Sequence, residues 1–155
     1  MNAESLRIAD QLRRAFAGDA WHGDPLSKLL DGVTAAQAME RPLASGHTIW
    51  ELVLHIDVYV RLALGAIEGV AMPKLYGTGN DWSTVEDTGD GAWAAAKKRM
   101  FDGAGQLSQA IAKFADNRLQ DTVPGRQYDF YYLFHGIVQH SLYHGGQIAM
   151  LKRAV

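Results

Sequence analysis

His140 and His144 stand four residues apart in the segment QHSLYHGG. On an α-helix that spacing turns the second imidazole by only about 40° and moves it one turn along the axis. Two imidazoles so placed can point at one ion, with nitrogen–metal distances of about 2.0–2.1 Å. A third histidine lies on another apolar stripe, Leu52, His55, Tyr59, Leu62 and Ala66, whose steps are 3, 4, 3 and 4. Histidines four apart also arise by chance on exposed helices, and many buried ones are merely hydrogen-bonded. Here both members of the pair replace apolar residues on a seam, where an unpaired imidazole costs about a few kcal/mol. That weights ligation above packing. Three histidines aimed inward from two helices form a facial cluster with coordination positions left open, as catalytic metals have and structural ones lack.

The other polar candidates are less determined. His47 is two turns before His55 and rotated about 80° from it, so it caps the helix, lines a pocket mouth or touches substrate. Glu51, one turn before His55, is a fourth ligand, a support for a ligand or a solvated charge; the last two rank above ligation. Gln147, three residues after His144, either orients a ligand or bound water or makes an ordinary interhelical hydrogen bond. His135 falls about 180° from His144 and should face away from any ion. His22 lies in irregular chain. The four tryptophans, Trp21, Trp50, Trp82 and Trp93, read as core and rim packing.

Nearly every apolar pattern in the chain has helical period. Leu6, Ala9, Leu12 and Phe16 predict a first helix ending near Gly18. A stretch broken by Gly23, Pro25, Gly32 and Pro42 has room for one or two short turns. A long helix over 47–68 is expected to be capped by Ser45 and closed by Gly69. Residues 73–91 are polar, glycine-rich and aperiodic, a surface loop or lid. Trp93, Lys97, Met100, Ala104, Leu107, Ile111 and Phe114 alternate steps of 4 and 3, a bundle seam with one lysine in it. The last helix, about 128–153, carries Leu133, Ile137, His140, His144, Ile148 and Leu151. Gly145-Gly146 inside it costs roughly 2 kcal/mol against Ala-Ala, so either a neighbour approaches closely or the helix is irregular there. The expected fold is all-α: a four-helix bundle with long connections between the first and second and the second and third helices.

Composition is consistent with one domain spanning 1–155. Of 155 residues 48% are hydrophobic and 21% charged, and 15 basic against 17 acidic residues give a formal charge of −2. That balance argues against nucleic acid as a partner. No run approaches the roughly 20 apolar residues of a membrane span, and no signal-peptide core opens the chain. Cysteine is absent, so thiolate metal sites, disulfides and cysteine nucleophiles are excluded. Any metal must be held by nitrogen and oxygen. A cytoplasmic location is the default.

The segments SGHTIWELVLHI (45–56) and HGIVQHSLYHGGQIAMLK (135–152) resemble the two signature segments of the DinB-like superfamily, which includes the YfiT-type proteins. WHGDPLSKLLDGV (21–33), RPLASGH (41–47) and the tryptophan-bearing loop before the third helix fit the same pattern. The resemblance implies a variant of up-and-down bundle order, a homodimer, and a divalent metal held by His55, His140 and His144. All-imidazole ligation suits Zn, Ni, Fe or Cu. Some relatives are metal-dependent transferases or isomerases that use low-molecular-weight thiols, so a small-molecule substrate and an external thiol are the expected partners. A metal-dependent hydrolase, with Glu51 or Asp81 as base, is the alternative, and a non-enzymatic metal- or ligand-binding dimer is a third reading.

Overall fold

The computed structural model describes residues 2–155. Six α-helices follow in order: α1 (Ala3–Ala17), α2 (Leu26–Leu29), α3 (Ala35–Met39), α4 (Ile49–Ile67), α5 (Asp90–Lys113) and α6 (Phe130–Leu151). A single 3-10 turn covers Asp116–Arg118, and among the described residues the only β pairing is an isolated bridge between Thr122 and Asp129. The four long helices form the bundle. α1 packs on α5 and α6, and α4 packs on the same two. The first and second long helices therefore sit on one diagonal, the third and fourth on the other. This is the variant order: the 18–48 connection must cross the bundle, and on the way α2 packs against α1 and α6 while α3 packs on α4.

The seams follow the helical period with local corrections. In α1 the buried residues are Ser5, Ile8, Ala9, Leu12, Ala15 and Phe16, whereas Leu6 is 55% exposed. In α5 the seam runs Trp93, Ala96, Met100, Gly103, Ala104, Leu107 and Ile111. Lys97 is displaced to the edge and lays its ammonium 4.9 Å from the Trp93 ring centroid, so its stem covers aromatic surface while its charge reaches water. Gly103 belongs to this seam for a steric reason: a Cβ there would lie 3.3 Å from Val60 Cγ1 of α4.

Helix α4 starts later than expected, and its cap is Thr48, not Ser45. The Thr48 hydroxyl accepts from the Glu51 amide at 3.1 Å, and the Glu51 carboxylate accepts from the Thr48 amide at 2.8 Å. That reciprocal box satisfies two amide groups the helix leaves free. Gly69, at φ +89, follows the C-terminus, the conformation that lets a glycine close a helix. Helix α6 is capped by Asp129, whose side chain accepts from the Tyr132 amide. It runs unbroken through Gly145-Gly146, and a Cβ at Gly145 would meet Leu26 of α2 at an ordinary 3.6 Å. Its 22 residues include no Asp, Glu, Lys or Arg.

Candidate metal centre

Helices α4 and α6 bring three imidazoles together. His55 and His144 are buried and His140 is half-buried. One nitrogen from each lies within 4.8 Å of the others. His140 Nε2 is 3.0 Å from His55 Nε2 and 3.1 Å from His144 Nε2. His135 takes no part, as its position around α6 predicts: it lies beside Tyr131, with ring centroids 4.5 Å apart.

The outer nitrogens fix which atoms face inward. His55 Nδ1 donates to the Asp81 carbonyl at 2.8 Å, and His144 Nδ1 donates to Gln147 Oε1 at 2.6 Å. Both Nε2 atoms are therefore lone pairs. A neutral His140 has one proton to offer, so hydrogen bonds within the trio cannot satisfy all three nitrogens. An ion would satisfy all three. Two nitrogens each about 2.0–2.1 Å from one metal, at right-angled to tetrahedral angles, stand about 2.9–3.4 Å apart. The observed separations of 3.0 and 3.1 Å fit that range. His140 Nδ1 is buried without a partner.

Electrostatics favour the neutral, ligating form. Burial, followed by the neighbouring His144 and His55, lowers the His140 pKa to about 3. Burial also lowers that of His55, against the opposing pull of its bond to Asp81, and that of His144, against its bond to Gln147.

The loop between α4 and α5 completes the site. Trp82 stacks on His55, with centroids 3.9 Å apart and planes 7° from parallel, and on His47, at 3.3 Å and 3°. Asp81 is buried; beyond its carbonyl bond to His55, its carboxylate accepts from the Tyr59 hydroxyl at 3.3 Å. Tyr59 packs against both His55 and His140. Burial and the Asp81 carboxylate raise its pKa. The base of the loop is pinned to the turn before α6, where the Met72 amide donates to the Pro124 carbonyl at 2.8 Å. Gly125 makes this clasp possible, because its φ is +77 and a Cβ there would lie 3.0 Å from the Met72 carbonyl oxygen.

Trp82 is thus part of the site and not rim packing, while Trp50 and Trp93 are core and Trp21 is fully exposed. Gln147 orients the His144 ring through its side-chain oxygen. Glu51 is no ligand: it caps α4 and pairs with Arg41 at 2.6 Å and His47 at 3.4 Å. Burial opposes its ionisation, but the Thr48 amide and Arg41 outweigh that and hold its pKa below the ordinary value. His47 lines the mouth of the cleft. Sequence reasoning missed Tyr59 as a site residue, although it stands one turn after His55 on the same stripe.

The trio opens into a cleft of about 620 Å³, within the range of small-molecule sites. Its walls include Tyr59, Tyr76, Trp82, Tyr128, Tyr132 and Tyr143. The family model described as the DinB superfamily matches residues 19–148, which contain all three histidines and the loop that covers them. Comparison with the curated proteins and with the solved structures finds no match.

Proposed function

The chain belongs to the DinB superfamily, and from that premise we propose that it is a metal-dependent enzyme whose His55, His140 and His144 hold one divalent ion, zinc, nickel or iron, and activate a low-molecular-weight thiol for transfer to an electrophile. The observation that carries this reading is the convergence of three Nε2 atoms, two of them committed as lone pairs, at the end of an open cleft. An ion bound there supplies Lewis acidity, which makes a thiol nucleophilic near neutral pH. The chain has no cysteine, so the thiol comes from outside.

The chain's own residues do the rest. The Asp81 carbonyl and the Gln147 amide oxygen hold two ligand rings in orientation. Trp82 covers one face of His55 and keeps water from it. The Tyr59 hydroxyl, bonded to the Asp81 carboxylate and packed on His55 and His140, is a group in the cleft able to hold or pass a proton. That same carboxylate favours a second reading, a hydrolase in which Asp81 serves as base for water. A third, a dimer that binds metal or ligand without turnover, requires only the trio. Pairing of two copies and a cytoplasmic location belong to the same proposal. Among the described residues no helix is long and apolar enough to cross a membrane.

The test is a panel of low-molecular-weight thiols and model electrophiles with metal-loaded protein. We expect thiol-dependent consumption that disappears in His144→Ala while circular dichroism shows the fold retained. Turnover without thiol selects the hydrolase, and tight binding without turnover selects the third reading. Activity that survives complete metal removal overturns all metal-dependent chemistry.

A further inference from the structure

Helix α6 contains a glycine that its packing does not require. Gly136 lies mid-helix, one turn before His140, and a Cβ there would meet nothing within 4 Å. Its φ is not positive. Alanine is the better helix former at such a position. Gly105 and Gly146 are equally open, but they are exposed; Gly136 is half-buried and still has nothing against it. The space a side chain would take is cleft, since Gly136 lines it together with Tyr132, one turn earlier, and Tyr143, about two turns later. Those two tyrosines are 67% and 66% exposed, unusually bare for large aromatic side chains.

The chemistry of the lining restricts what can lie there. No Lys or Arg faces the cleft, and its one carboxylate, Asp81, is engaged by Tyr59. A phosphate- or carboxylate-rich molecule would find no directional cationic partner. The charge of a bound ion attracts any anion, but across the cleft that pull is screened over about 8 Å and does not discriminate. Aromatic walls recognise flat, uncharged surface.

We infer that Gly136 is the seat of the substrate's body. The site takes a molecule with an uncharged aromatic ring, which lies over Gly136 between Tyr132 and Tyr143 while one donor atom reaches the three histidines a turn away. This deepens the metal-centred reading and rests on its ion, but it does not depend on a thiol.

Probes that anchor through an imidazole nitrogen test it without thiol chemistry. Calorimetry on metal-loaded protein would compare 1-methylimidazole, 1-benzylimidazole and 4-(imidazol-1-ylmethyl)benzoate, with metal content measured for every sample. The benzyl group should tighten binding at least roughly tenfold, the effect of burying one phenyl ring. The added carboxylate should change that by no more than about twofold, since no fixed cation meets it. Gly136→Leu should abolish the benzyl gain and leave metal content unchanged, and Gly136→Ala should diminish it while raising the melting temperature. Tyr132→Ala should weaken the gain. An absent gain in the parent, an undiminished gain in Gly136→Leu, or a carboxylate that tightens binding tenfold would overturn the inference and leave the three-histidine site standing. A chain that loads no ion overturns both.

Discussion

His140 sits between His55 and His144, with ring nitrogens 3.0 and 3.1 Å away, and its pKa is depressed to about 3 by burial and by those neighbours. Below about pH 6.5 the unfolded chain takes up a proton at His140, whereas the folded chain does not until far lower pH. The stability His140 contributes is complete above about 6.5 and is lost as pH falls toward 3, by up to about 1.4 kcal/mol per pH unit; the lowered values of His55 and His144 act in the same direction. Urea unfolding of metal-free protein at pH 7, 6 and 5 should show this, and His140→Gln should flatten the slope; equal slopes would contradict the depressed pKa. With metal present, replacing His55, His140 or His144 by Ala should each reduce occupancy by at least about 10–100-fold. His135→Ala should leave it nearly unchanged, and elemental analysis distinguishes the two cases. The convergence of these three histidines was legible in the sequence because a four-residue spacing and an apolar stripe fix direction around a helix. The Asp81 carbonyl was not legible, because it meets His55 across 26 residues of chain with no period. The stacking of Trp82 is likewise set by loop conformation alone.

Helix α5 illustrates what periodicity conveys and what it leaves out. Its steps of 4 and 3 correctly place Leu107 and Ile111 in the core, but they also put Lys97 on the seam in place of Ala96. Choosing between adjacent positions depends on the facing helix, and α4 lies so close to α5 that a Cβ at Gly103 would stand 3.3 Å from Val60 Cγ1. Leu107 is wholly buried, so Leu107→Asp would place an unpaired charge in the core. We expect a loss of at least about 3 kcal/mol in urea unfolding, or outright aggregation. Stability equal to the parent's would mean the seam is misassigned. The α4 cap shows a different limit. Ser45 and Thr48 are both good capping residues, and only the Glu51 carboxylate, three residues after Thr48, separates them.

At the scale of the molecule, a bundle was legible from four long apolar stripes, but which helices lie on the diagonals was not, since long connections permit either order. The observed order places α4 and α6 side by side, and an ion held by His55, His140 and His144 would tie together two helices with 62 residues between the end of one and the start of the next. Ion binding should therefore stabilise the whole fold. At free metal about 1,000-fold above its dissociation constant the gain is about 4 kcal/mol. Chelation should then lower the melting temperature by on the order of 10 °C. No shift on chelation would mean the ion does not bridge the helices. The loop above the site is held at its base, where the Met72 amide donates to Pro124 and Arg126 donates to the Pro73 carbonyl, and at its tip, by Asp81 on His55 and Tyr59 and by Trp82 on His55 and His47. Between them residues 74–80 carry the exposed Tyr76 at the cleft mouth. Doubling the length of a flexible segment costs only about 0.6 kcal/mol in closure entropy. That segment is therefore where descent can vary the chemistry of the entrance, by insertion or exchange, while the bundle and its three histidines are inherited intact.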